Sequence, residues 1–156
     1  MAYELTAEKQ AELRILTKRE NAVFHDVREE PFKIYGLYDA YSGERFCRIP
    51  PEVAAATSDA VKGLNYNTAG GRVRFKTDAE YIAIYCKTTK SSRHPKMTSA
   101  MESGFDLYID DDKVGGRKPY SYFVNTIFAP KDSGEGYADR FRLPEGEHSV
   151  TINFPL

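Results

Sequence analysis

Arg72-Val73-Arg74-Phe75-Lys76 is followed, after the turn residues Thr77-Asp78, by Tyr81-Ile82-Ala83-Ile84-Tyr85-Cys86. In the first segment Val73 and Phe75 share one face and three cations share the other, the period-two pattern of a half-buried strand. The second segment is apolar on both faces, which predicts a strand in the middle of a sheet with something covering each side. Two strands with these demands require a two-layer structure.

Upstream, Asn65-Tyr66-Asn67-Thr68-Ala69-Gly70-Gly71 is a turn-rich break, because glycine tolerates positive φ and asparagine makes local side-chain turns. Downstream, Phe105, Leu107 and Ile109 alternate with Asp106, Tyr108 and Asp110. Asp110-Asp111-Asp112-Lys113 then reads as a turn into Val114 and the Gly115-Gly116 break. Strands follow from Tyr120 to Ala129, from Tyr137 to Leu143, and over Val150, Ile152 and Phe154, which alternate with Thr151 and Asn153. Asp132 to Gly136 and Pro144 to Glu147 are the loops between them. Short strands joined by Gly- and Pro-rich turns predict an all-β fold, an antiparallel β-sandwich of jelly-roll type.

The start of the chain differs. Thr6 can cap a helix from about Ala7 to Glu20, whose apolar side is weak and suits surface packing. Pro31, Pro50 and Pro51 break up the region from Phe24 to Ile49, and Ala54-Ala55-Ala56 reads as a short helix between strands. The expected division is a helical segment over 1–21 and a β-sandwich domain over 22–156.

A chain of 156 residues fits one domain with a core that needs neither metal nor disulfide to fold. Its 29% charged residues balance to a net charge of -1, which gives no electrostatic reason to expect nucleic acid or an anionic membrane. Eleven Tyr and nine Phe with no Trp suit sheet packing. Cys47 and Cys86 are far apart and lack C-x-x-C spacing, so they read as free buried thiols, with one disulfide as the lesser alternative. The first residues lack the pattern of a signal peptide and no run is long and apolar enough for a membrane span, so the chain is expected in the cytoplasm.

No G-x-S-x-G turn announces a nucleophile. His25, His94 and His148 fit no metal pair, and no cofactor motif is present: Gly70-Gly71 and Gly115-Gly116 read as turn glycines, without a phosphate-binding pattern. Asp110, Asp111 and Asp112 lack the spacing of a calcium loop and read as a solvated turn. His94 stands beside Arg93 in the polar loop Ser91-Ser92-Arg93-His94-Pro95-Lys96-Met97, where function often resides. Arg72, Arg74 and Lys76, with Lys87 and Lys90 nearby, form a cationic strip that suits a solvated sheet face or an interface with another domain.

Ser103-Gly104-Phe105-Asp106-Leu107-Tyr108 resembles the G-x-D-L-Y signature of the domain that precedes the catalytic domain in bacterial SGNH (GDSL-like) hydrolases. Phe46-Cys47-Arg48-Ile49-Pro50, the stretch from Ala69 to Asp78, His94-Pro95-Lys96-Met97 and Leu143-Pro144-Glu145-Gly146 fall in the order that family shows. The resemblance covers about Val23 to Leu156 and implies a jelly-roll-like domain packed against an SGNH esterase domain, its partner in the same protein. This chain has no Gly-Asp-Ser triplet and no Asp-x-x-His, so the family's catalytic residues transfer to no position here. It is therefore expected to be an accessory domain that helps shape the substrate cleft through the His94 loop and the aromatic edge at Tyr120 and Tyr122. A carbohydrate-binding module, with Tyr66, Tyr120 or Tyr122 stacking on sugar rings, is the alternative. A small enzyme using Ser92 and His94, or Cys86, ranks last.

Overall fold

The computed structural model describes residues 5–43, 45–87, 96–110, 122–127 and 136–155, over 122–127 by backbone alone. In chain order the elements are α1 (Ala7–Thr17), β1 (Lys33–Tyr35), α2 (Pro51–Thr57), α3 (Asp59–Leu64), β2 (Arg72–Thr77), β3 (Tyr81–Lys87), α4 (Ser99–Ser103), β4 (Phe105–Ile109), β5 (Tyr122–Ile127), β6 (Gly136–Arg142) and β7 (His148–Asn153). The strands form two antiparallel sheets, one of five strands in the order β1-β2-β7-β4-β5 and one of β3 with β6. Strands dominate the architecture, as the spacing of turn residues predicts.

Alternation decides which side chains face inward. Val73 of β2 stands opposite Ile152 of β7, and Leu107 of β4 stands opposite Ile152 on the other side. These three, with Ile34, Phe105, Ile109 and Val150, share one core with Tyr137 and Phe141 of the smaller sheet. Ile82, Ile84 and Cys86 of β3 pack against that core. Both sheets therefore bury their apolar faces in the same interior, and each large side chain fully buried there contributes roughly 1.5–3 kcal/mol. Phe105 packs edge-to-face on Phe154 at 5.7 Å and tilted on Tyr137 at 6.3 Å, linking the two sheets.

The second segment departs from expectation. Among the described strands β3 pairs with β6 alone, which places it in a two-stranded sheet and not in the middle of a larger one there. Its two apolar faces have another cause. Ile82, Ile84 and Cys86 meet the core, while Tyr81 and Tyr85, on the opposite face, lie under cations from the N-terminal segment: Arg19 at 3.5 Å and Lys9 at 4.7 Å from the ring centres. Helix α1 is the cover.

α1 ends earlier than predicted, at Thr17, because Lys18 takes a left-handed conformation (φ 54°) and closes the helix by donating its N–H to Ile15. Thr6 caps the start by accepting from the Lys9 N–H. The weak apolar face is real, since Ile15 and Leu16 are exposed, but Leu13 and Thr17 are fully buried. Arg140 of β6 donates to the Thr17 carbonyl at 3.0 Å and ties the helix to the sheet. α2 follows the Ala54–Ala56 reading, and among the described residues the expectation is corrected by two further short helices, α3 and α4, of six and five residues, capped by the Ser58 and Thr98 hydroxyls.

The region broken by prolines is held by side-chain bonds. The buried Asn65 side chain accepts from the Arg48 and Ile49 N–H groups (3.2 and 3.0 Å) and donates to the Ile49 carbonyl (3.0 Å). The outward N–H of edge residue Ile34 donates to the Tyr41 hydroxyl at 2.8 Å. Gly36, at φ +76°, has no room for a side chain: a Cβ would lie 2.1 Å from the Gly70 carbonyl oxygen. Cys47 is buried and Cys86 half-buried, and both are free thiols.

Candidate functional site

With Val73, Val150, Ile152 and Leu107 turned inward, the residues between them must face outward. Register then lines them up across three strands. Arg72 stands opposite Asn153, which stands opposite Asp106; one step along, Arg74 stands opposite Thr151, which stands opposite Tyr108. Lys33 and Tyr35 of β1 extend the rows beyond Arg74 and Arg72. The outer face of the five-stranded sheet is thus polar throughout its described part.

A groove of about 350 Å³ lies on this face, lined by Arg72, Arg74, Tyr108, Asp110, Thr151 and Asn153. Thr151 is buried and its hydroxyl donates to the Asp110 carboxylate, and the Arg74 guanidinium stands 3.8 Å from the same carboxylate oxygen. The Asp110 N–H is held by the Ser149 carbonyl at 2.7 Å, so the carboxylate is positioned by backbone as well as side chain. Arg72 lies 5.7 Å from the centre of the Tyr35 ring, and its guanidinium makes no ion pair or hydrogen bond among the described residues. Donors, acceptors and a free cation converge here.

A second depression of about 380 Å³ borders edge strand β1, with Arg28, Phe32, Tyr35 and Tyr41 in its wall. Lys33 also borders it, but the cation at its wall beside the rings, Arg28, is already engaged. Arg28 donates to the Ala40 and Gly43 carbonyls, lies over the Phe46 ring and stands 3.6 Å from Asp26. This hollow is a piece of structural bracing.

The residues selected from sequence fare unevenly. Arg93, His94, Ser92 and Tyr120 lie outside the described residues. Tyr122 opens β5 opposite Ile109, with its backbone alone described. Tyr66 follows α3, and the Arg45 guanidinium sits over its ring at 4.2 Å. Cys86 faces the core, and burial pushes its thiol up to about 11, which leaves no thiolate at neutral pH. His25 lies against Phe32, and the His148 ring reaches the Pro144 carbonyl at 3.3 Å. Among the described residues no three His, Cys, Asp or Glu side chains form a group able to hold a metal.

What the structure does bring together is the cationic strip and the signature strand. In Gly104-Phe105-Asp106-Leu107-Tyr108, Phe105 and Leu107 fill the core, while Asp106 and Tyr108 face outward toward the strand that Arg72 and Arg74 flank. Sequence reading missed Thr151 and Asn153 as members of the site. Their signal is the same alternation that marks Val150 and Ile152 as core, but only register shows what they stand beside.

The sequence profile of the GxDLY family, described as the N-terminus of esterases of the SGNH-hydrolase type, matches residues 22–156. A crystal structure described as a GDSL-like lipase from Bacteroides ovatus superposes with a TM-score of 0.64 at 22% identity, covering 79% of this chain and 34% of that one. At that identity the likeness is one of fold, and this chain spans about a third of the length of that protein. No curated protein sequence matches the chain.

Proposed function

The chain belongs to the GxDLY family, the N-terminus of SGNH-hydrolase-type esterases, and from this we propose that it is a non-catalytic accessory domain of such an enzyme. The domain, a jelly-roll-like β-sandwich over 22–156 with the helical segment 1–21 laid on its smaller sheet, packs on a downstream SGNH catalytic domain and helps shape its substrate site. The observation that carries this reading is the family match across 22–156, because the family is defined by its place ahead of the esterase domain. Two sheets sharing one core support the sandwich.

The contact with the catalytic domain runs through the loop of Arg93 and His94 and the edge at Tyr120 and Tyr122. The test is association of the purified chain with the separately expressed SGNH domain, followed by calorimetry. One-to-one binding that weakens at least tenfold in Tyr122→Ala is expected. Absence of binding at 100-fold excess contradicts the proposal. Tyr66 contributes less to a sugar-stacking alternative, because Arg45 already covers one side of its ring.

A further inference from the structure

The geometry points to the groove between Arg72, Arg74, Tyr108 and Asn153 as a binding site for an anionic saccharide, one or two sugar rings carrying a carboxylate or a sulfate. This goes beyond the accessory role and holds whether or not the chain docks on another domain.

Size comes first. About 350 Å³ lies at the small end of the range typical of ligand cavities, roughly 300–1,000 Å³, which suits one or two rings and excludes a long polymer held in a tunnel. The lining then selects the chemistry. Arg72 and Arg74 only donate, the Asp110 carboxylate only accepts, and Thr151, Asn153 and Tyr108 can do both. A simple anion uses donors alone and is repelled by Asp110. Sugar hydroxyls are donors and acceptors at once and use the whole set.

Charge decides which saccharide. Lys33, Arg72, Arg74 and Lys76 share the outer face with Asp106 and Asp110, so among the described residues cations exceed carboxylates there although the whole chain carries -1. Asp110 is engaged by Thr151 and Arg74, whereas Arg72 has no ion pair among the described residues. Arg72 therefore presents a planar fork for a carboxylate or sulfate. Arg74 stands about 7 Å along the same strand, near the spacing from a charged substituent to a hydroxyl across the ring. Asn153, directly across from Arg72, adds a side chain able to donate and accept.

The site is also built to bind without much ordering. Its residues stand on three hydrogen-bonded strands, and Thr151 is buried and fixed on Asp110 before any ligand arrives.

Titration of the ¹⁵N-labelled chain by NMR tests this, with tetragalacturonate, a sulfated disaccharide, neutral xylotetraose, sodium acetate and sodium sulfate. Amide shifts confined to residues 72–74, 108–110 and 149–153 are expected with tetragalacturonate, the sulfated sugar or both, and the arm that responds identifies the anionic group. Binding should be at least tenfold weaker for xylotetraose, and at least tenfold weaker in Arg72→Ala and Asn153→Ala. Both variants alter outward-facing side chains and should keep the wild-type spectrum elsewhere. Should either one misfold, Arg74→Gln takes its place. The inference is overturned if no saccharide shifts these amides, if acetate or sulfate alone shifts them equally, if xylotetraose binds as well, or if the folded variants bind like wild type. The titration uses the chain alone, so its failure leaves docking on a catalytic domain untouched.

Discussion

Leu107 and Gly36 show how differently single residues can be read from sequence. Leu107 is the central apolar member of the alternating run 105–109 and is fully buried, so period two alone identifies it as core. Leu107→Ala should cost about 2–5 kcal/mol, read as a fall in the urea midpoint. Gly36 gives no such signal, because its requirement comes from the carbonyl of Gly70, distant in sequence. Gly36→Ala should destabilise by roughly 2 kcal/mol or more, from the left-handed backbone and the backbone clash together, by the same measurement. The Asp110–Thr151 bond was likewise invisible before register was known. Cys86 makes a prediction about pH. Burial raises its folded pKa from 9.0 to about 11, so its protonated thiol contributes stability that is complete below pH 9 and lost as pH rises through 11. Two units correspond to on the order of 2–3 kcal/mol. Tyr137, raised by burial and by the neighbouring Cys86 and Asp139, loses stability in the same direction above pH 10. Urea midpoints should fall between pH 8 and pH 10.5, and fall less steeply in Cys86→Ala.

Among elements, β4 was legible from clean alternation and β2 from its alternating start, while β6 and β7 were legible from β-formers bounded by turn residues, since Val150, Thr151 and Ile152 are buried in succession and Asp139 is exposed on the face of Tyr137 and Phe141. β3 was misplaced for a physical reason. An apolar residue records that something covers it, and the pattern is the same whether the cover is a sheet or a helix with stacked cations. α1 was read too long because Lys18 gives no sequence sign of its left-handed turn. Its packing separates neighbours on one helix: Leu13→Ala should cost about 2–5 kcal/mol, while Ile15→Ala, 78% exposed, should stay within about 0.5 kcal/mol in the same urea titration. Equal effects would mean that the helix does not cover the β3–β6 sheet.

At the scale of the whole molecule, the two antiparallel sheets followed from turn spacing, and the family was legible in the joint order of short motifs from Phe46 to Gly146. The candidate site was half legible. The strip of Arg72, Arg74 and Lys76 and the signature strand were each visible alone, but their placement either side of β7 depends on strand order, which local pattern does not encode. The accessory role makes a demand on activity that no binding experiment replaces. Hydrolysis of a short-chain acyl ester should be measured for the purified chain alone, for the downstream SGNH domain alone, and for their mixture. No hydrolysis above background is expected from the chain alone, and the mixture should hydrolyse faster than the SGNH domain by itself. Hydrolysis by the chain alone would contradict the accessory role.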